Sequence, residues 1–306
     1  MTTGTTRVGL VMAVHNRRDT TLRALRTVYE ADTTGMTLHV VVVDDGSTDG
    51  TSEAIRRAYP AVEIVAGDGT LFFGGGTNAG LRRLLAAGVD YAVIANDDAI
   101  FNRQVFVELV KCARQFPQSV VGALLLLWDT PHKVFQVGQA WDMWYGGWRI
   151  PQHLTAFTVP QEPWEVEVLA GNCILIPAEA LRLFGLLDDV RFPHLWADVE
   201  FSVRVRRGGW RLLVAPRARM FCEPNTYPPP LSAGSVRAAF KALFVDTTHA
   251  LNVGRRWRML RAVAPSRTQG LVMCAIYVAR LAQRGLRIGT WPEWPDPPLG
   301  PLAERR

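Results

Sequence analysis

Three short apolar runs, at 8–14, 38–43 and 91–95, each end in a polar cluster, and stretches with helical spacing separate them. The clusters are His15-Asn16-Arg17-Arg18, Asp44-Asp45-Gly46-Ser47 and Asn96-Asp97-Asp98. A continuous apolar run has no water-facing side, so such a strand is covered on both faces. Strands of this kind alternating with helices predict βαβ units, a mainly parallel sheet flanked by helices, and hence an α/β fold. Ligands of such sheets bind beyond the carboxyl ends of the strands. The polar clusters all fall at that edge, aimed at one crevice.

The remaining pattern predicts helices over 51–59 and 78–87, with a third strand at 61–66 and a glycine-rich loop before the second of these helices. Beyond Ala99 it predicts strands at 120–128, 133–137, 166–176 and 210–215, and helices at 178–184 and 198–207. A proline-rich linker begins at Pro224, and amphipathic helices are predicted over 236–252 and 266–284. The expected organisation is one domain over 1–223, divided near residue 99, and a helical appendage over 224–306.

Hydrophobic residues are 48% and charged residues 20% of the chain, enough for a large core and unlike a disordered chain. The net charge of +6 is unevenly placed. From Gly254 to the end there are ten Arg and three acids, whereas residues 1–253 carry 24 basic and 25 acidic side chains. A neutral body argues against nucleic acid as a partner. The uncharged apolar stretch at 270–279 is about half the length of a spanning helix. The first residues lack the charged start and long apolar core of a signal peptide, so a cytoplasmic location is expected. Cys112, Cys173, Cys222 and Cys274 have no CxxC spacing and read as four buried, reduced thiols.

Each candidate site has a plain structural reading beside the chemical one. Ser47, Thr48 or Asp49 can cap a helix, but a cap does not need Asp44 and Asp45 as well. A carboxylate there can accept the imide N–H of a pyrimidine base. Asn96-Asp97-Asp98 is either a solvated turn or a site for a hard divalent cation, which takes one or two carboxylates plus phosphate oxygens. Alternation along an extended chain puts Asn96 and Asp98 on one side, which favours Asp98 as the direct ligand. The glycines between Gly67 and Asn78 lead into a helix start, where free N–H groups favour an anion such as a pyrophosphate. The loop lacks a Lys and follows the third strand, unlike an NTPase or a Rossmann dehydrogenase. Asp198 is a first-turn acid by default. His194 and Trp196 before it suggest a carboxylate against aromatic surface, with raised proton affinity and the capacity to act as a general base. Glu200 and Arg204, four apart, pair along the helix. Six of the ten Trp lie between Trp128 and Trp196, as a small apolar core or as a platform for sugar rings.

In this order, Val11-Met12-Ala13-Val14-His15-Asn16-Arg17, Val43-Asp44-Asp45-Gly46-Ser47, Ala95-Asn96-Asp97-Asp98 and Trp196-Ala197-Asp198-Val199-Glu200 resemble the family 2 glycosyltransferases with a GT-A fold. The segment from Gly67 to Gly80 looks like the bacterial rhamnosyltransferase and galactofuranosyltransferase branches. The resemblance spans about 7–223 and implies an inverting transferase using a nucleotide-diphosphate sugar, with dTDP-rhamnose or a UDP-sugar favoured. It implies a glycan or lipid-linked acceptor in cell-surface polysaccharide or glycolipid synthesis. By position it puts Val14, Asn16, Asp44, Asp45, Gly76, Asn78, Asn96 and Asp97 at the donor. Asp98, with Asp97, would hold Mg²⁺ or Mn²⁺, and Asp198 would be the base. Trp141, Trp144, Trp148, His194 and Trp196 are acceptor candidates. The chain departs from the family in having Ala197 where an acid is common, Asn96 where Asp is common, and Cys222-Glu223 where a His often completes the metal site. Glu223 is therefore a candidate ligand.

The basic tail lies outside the resemblance. Its helices are expected to dock on the catalytic domain, pair two subunits, or lie peripherally on an anionic membrane surface at about 1 kcal/mol per well-placed basic residue. Two competing functions remain. A sugar nucleotidyltransferase would carry glycines and a basic residue directly after strand one. A non-catalytic sugar- or nucleotide-binding relative is suggested by Ala197 and Cys222 and opposed by the presence of Asp98 and Asp198.

Overall fold

The computed structural model describes residues 5–138, 140–142, 147–149, 154–223, 237, 240–246 and 251–286. The first half alternates as expected: β1 (Thr6–Val14), α1 (Arg18–Tyr29), β2 (Met36–Asp44), α2 (Thr51–Ala58), β3 (Glu63–Ala66), α3 (Phe72–Ala86) and β4 (Tyr91–Ala95). These four strands are parallel in the order β3-β2-β1-β4. The second half adds β5 (Ala99–Phe101), α4 (Val105–Gln115), β6 (Ser119–Leu127), β7 (Val134–Gln136), β8 (Ala140–Asp142), β9 (Gly147–Arg149) and β10 (Trp164–Glu165). It then continues through β11 (Cys173–Pro177), α5 (Ala178–Phe184), α6 (Ala197–Arg207) and β12 (Arg211–Cys222). Antiparallel β11 joins β4 to β6, and β12 runs parallel to β6, so the sheet is mixed.

The apolar runs are buried as a strand covered on both faces must be: Val8, Leu10 and Met12 of β1 pack with Leu25 and Val28 of α1, all fully enclosed. On the other face, α3 presses on β1 through glycines. A Cβ at Gly80 would come within 2.1 Å of Val11 Cγ2, and one at Gly76 within 2.8 Å of Ala13 Cβ. Gly80→Ala is expected to cost about 1–3 kcal/mol by overpacking, seen as a lower midpoint in denaturant unfolding. An unchanged midpoint would mean that α3 can lift from β1 freely.

Three predicted elements are corrected. The helix expected from 78 begins at Phe72, so Gly74, Gly75 and Gly76 are helical and buried. Glycine is a poor helix former, and here close packing offsets that weakness. The strand expected over 166–176 shrinks to Cys173–Pro177, because Gly171 and Asn172 turn the chain before it. The helix expected over 236–252 is, among the described residues, helical at Arg237 and Phe240, runs into a π-helical turn (Lys241–Val245) and is ended by extended Asp246. Asn252 then caps a new helix, accepting a hydrogen bond from the Arg255 N–H at 2.9 Å.

The chain forms two compact units, residues 1–138 with 155–224, and residues 139–154 with 225–306. In the second, α7 (Val253–Val263) and α8 (Arg267–Leu286) pack together, with Met259 and Met273 fully enclosed. Among the described residues no helix is long and apolar enough to cross a membrane. Cys112, Cys173 and Cys222 are buried free thiols. Burial pushes Cys112 up to about 11 and Cys173 up to about 12. Cys274 is half-exposed rather than buried.

Candidate active site

Parallel register sets Val14, Asp44 and Ala66 side by side at one sheet edge. Antiparallel β11 starts opposite Ala95, so Gly171 and Asn172 reach the same edge. The loops after β1 and β2 hold each other. Asn16 adopts a left-handed conformation (φ 52°), donates its N–H to Ser47 Oγ at 2.8 Å, and accepts the Thr48 N–H at 2.7 Å. His15 Nδ1 donates to the Asp45 carbonyl at 2.6 Å and Nε2 accepts from Asn16 Nδ2 at 3.0 Å, which fixes the tautomer. Asp44 is buried, with Oδ1 accepting the Ser47 N–H at 2.9 Å and Oδ2 accepting the Ser52 hydroxyl. Asp45 is buried too. Its two oxygens accept the N–H groups of Gly69 at 2.8 Å and Phe72 at 2.9 Å, tying the β2 turn to the start of α3.

That arrangement changes the reading of the glycine segment. Of the N–H groups in the first turn of α3, Phe72 donates to Asp45 and Gly74 donates to the Pro193 carbonyl at 2.7 Å, so these two are not open to a pyrophosphate. A Cβ at Gly74 would stand 3.1 Å from the Phe192 and Pro193 carbonyl oxygens. The glycine thus admits the loop that leads to α6. Asn78 clamps the same loop: its Nδ2 donates to the Leu187 carbonyl at 2.8 Å and its Oδ1 accepts the Leu187 N–H at 3.0 Å. Gly76 and Asn78, expected at the donor, are placed inside this packing. Val14 is likewise buried.

At the end of β4, Asp97 is buried and accepts the Thr21 hydroxyl at 2.8 Å. Burial raises its pKa, while the nearby Arg17 guanidinium and the Thr21 hydroxyl oppose the rise. Arg17 bridges the acidic pair, at 3.5 Å from Asp97 and 3.2 Å from Asp98 Oδ2. The other oxygen, Asp98 Oδ1, is buried with no hydrogen-bond partner. Glu223 donates its backbone N–H to the Asp98 carbonyl at 2.9 Å, which brings the end of β12 alongside. Among the described residues no three His, Cys, Asp or Glu side chains converge, so Asp97, Asp98 and Glu223 do not form a closed ligand set.

Asp198 lies in the first turn of α6 behind Trp196, whose φ of 77° is strained for a bulky residue. Its Oδ2 accepts the Gly171 N–H at 2.7 Å and its Oδ1 the Val199 N–H at 2.9 Å. Burial raises its pKa, and those two N–H groups pull the other way. One residue on, the Asn172 carbonyl accepts the Asn96 N–H at 3.0 Å. The dipeptide Gly171-Asn172 therefore ties Asp198 to the end of β4. A Cβ at Gly171 would meet the Phe73 ring at 2.9 Å and Asp198 Oδ2 at 3.3 Å. Sequence reading missed this pair as part of a strand, although a Gly-Asn step before an apolar run is a turn signal. His194 meets Phe72 edge-on, ring centroids 6.0 Å apart. Glu200 and Arg204 pair at 2.8 Å, and Arg204 also donates to the Leu186 carbonyl at 2.8 Å, bracing the turn before the loop. Trp141 and Trp148 oppose each other in the β8–β9 pairing. Their side chains, and the whole of Trp144, lie outside the described residues.

The edge thus offers a desolvated carboxylate able to take a proton and, through one backbone link, a carboxylate oxygen still lacking a partner. The model of Glycosyl transferase family 2 matches residues 10–182. An N-acetylglucosaminyl-diphospho-decaprenol L-rhamnosyltransferase of Mycobacterium tuberculosis is 27% identical over 202 residues, 59% of this chain and 65% of the relative. The chain thus spans about 65% of the length of that relative. Succinoglycan biosynthesis protein ExoO of Rhizobium meliloti is 36% identical over 94 residues, 30% of this chain and 26% of the relative. Among solved structures, GalNAc-T7 with UDP, GalNAc and Mn²⁺ superposes with a TM-score of 0.60 at 16% identity, covering 94% of this chain and 58% of that one. The mannosyltransferase PcManGT of Pyrobaculum calidifontis, in complex with GDP-Man and Mn²⁺, gives 0.51 at 18%, covering 90% and 80%.

Proposed function

Because the chain belongs to glycosyl transferase family 2 and has the GT-A fold, we propose that it moves a sugar from a nucleotide-diphosphate donor to an acceptor hydroxyl, with inversion. The observation that carries this reading is the Gly171-Asn172 link, which joins a carboxylate of raised proton affinity to the strand end bearing Asp97 and Asp98. Asp198 takes the proton of the acceptor hydroxyl, whose oxygen forms the new bond to the anomeric carbon. The bond from that carbon to the diphosphate breaks, and the nucleoside diphosphate leaves with the electron pair.

A hard cation suits what Asp98 offers: one buried carboxylate oxygen without a partner. Mg²⁺ or Mn²⁺ typically takes one or two carboxylates plus phosphate oxygens. Bound by Asp98 and the donor, it would neutralise charge on the leaving diphosphate. Arg17, itself paired to Asp97, holds Asp98 in place. Asn16, Asp44 and Asn96 line the nucleoside side of the crevice, and Asp45 shapes it by fixing the α3 start. Glu223 stands beside Asp98 as a further oxygen donor. His194 and Trp196, beside Asp198, are the acceptor candidates of this crevice.

The L-rhamnosyltransferase of M. tuberculosis supports a rhamnose donor and a lipid-linked acceptor, and of the donors the resemblance implies, dTDP-rhamnose comes first, with a UDP-sugar next and a glycan as the other acceptor. A lipid-linked acceptor goes with a cytoplasmic enzyme peripheral on the inner face of the plasma membrane. A panel of dTDP-rhamnose, UDP-sugars and GDP-mannose, with Mn²⁺, Mg²⁺ or chelator, tests the reading by donor turnover. One donor is expected to turn over, and chelator to abolish it. Binding of a nucleotide sugar without turnover of any donor would favour the non-catalytic alternative.

A further inference from the structure

Part of the second unit presents an apolar face to solvent. Along α8, Met273 and Leu281 face inward, and a Cβ at Gly270 would stand 3.3 Å from the Leu260 carbonyl oxygen of α7. On the outward side, Leu271 is 57%, Val272 43% and Val278 40% exposed. Ala275 and Ala279 are exposed between and beside them. Spacings of three and four put all five on one stripe, with no charged side chain in it. The turn before α7 does the same: Phe240 and Phe244 meet as tilted rings with centroids 5.1 Å apart and stay mostly exposed, as does Val245.

The charges of this region choose the occupant. Between Arg237 and Leu286 there are nine Lys or Arg and one acid, Asp246. A second copy would bring the same face and the same positive excess against it, since a two-fold contact sets like against like. A surface of anionic lipid supplies the opposite charge together with an apolar layer. An exposed apolar stripe in a region of net positive charge, on a helix unable to span, fits a segment lying in the bilayer interface. We propose that the outer stripe of α8 and the Phe240–Phe244 turn seat the protein on an anionic membrane surface, with the stripe entering the headgroup layer. The readout below is independent of turnover, so it stands or falls apart from the transferase reading.

The test is flotation of the full chain with extruded vesicles of phosphatidylglycerol and phosphatidylcholine, against phosphatidylcholine alone, at low and high salt. The anionic vesicles are expected to retain the protein at least about tenfold better, and high salt to weaken that retention. The double variant Leu271→Glu, Val278→Glu changes two exposed positions, so it is expected to keep its thermal midpoint and to lose about tenfold or more in partitioning. Arg267→Glu, on the exposed flank, is expected to weaken binding to anionic vesicles only. No retention on anionic vesicles at low salt would overturn the proposal, as would undiminished retention of a folded double variant. A dimer in light scattering that dissociates in the double variant would assign the stripe to a second copy. Retention that appears only after removal of 287–306 would assign it to that segment.

Discussion

Asp198→Asn is expected to lower kcat by about 10²–10⁴-fold, the usual contribution of a positioned general base. Unfolding would not account for such a loss. Asp198 is raised by burial, so its favourable contribution to stability is full below the unfolded value near 3.9 and is lost as pH rises through the folded one. At neutral pH the asparagine removes that penalty. It also leaves one of the Gly171 and Val199 N–H groups without its oxygen, at about 1 kcal/mol. The thermal midpoint therefore moves little. In the wild type, the acid limb of kcat/KM is expected at higher pH than an ordinary aspartate would give, and to vanish in the variant. A fully active Asp198→Asn enzyme would remove Asp198 as the base.

Asp98→Ala is expected to cost at least about 10²-fold in kcat/KM, since a cation at a leaving diphosphate contributes several kcal/mol. Calorimetric titration of Mn²⁺ in the presence of nucleoside diphosphate should show the matching loss of cation binding. Because the described residues supply no closed ligand set, Mn²⁺ alone is expected to bind the wild type far more weakly than Mn²⁺ with the nucleotide. Equal Mn²⁺ binding by wild type and Asp98→Ala would mean that the cation is held elsewhere.

The parallel half of the sheet was readable because its central strands carry uninterrupted buried apolar stretches, as in 40–43. The resemblance, and not sequence position alone, implied that Asp98 and Asp198 act together. The glycine segment was misread because glycine signals a loop by default, whereas Gly74, Gly76 and Gly80 are required by neighbours far along the chain: Pro193, Ala13 and Val11. Asn78 has a structural role that the sequence could not show, since its partner Leu187 lies 109 positions away. The tail was misread where an apolar rhythm continued across Asp246 and Asn252, whose backbone and side chain end one helix and start another.

The tie between Asp198 and the end of β4 is made largely of main-chain atoms: the Gly171 N–H on one side, the Asn172 carbonyl and the Asn96 N–H on the other. Every residue except proline carries these groups. An alanine scan would therefore pass over Asn172 and Asn96 as far as this tie is concerned, even though the link from the proposed base to the end of β4 runs through them. Gly171 is the exception, because any side chain there meets Phe73 and Asp198. Positions 96 and 172 are thus free to drift in evolution without loosening the tie, and a search for critical residues by side-chain chemistry would locate its two ends and miss its middle.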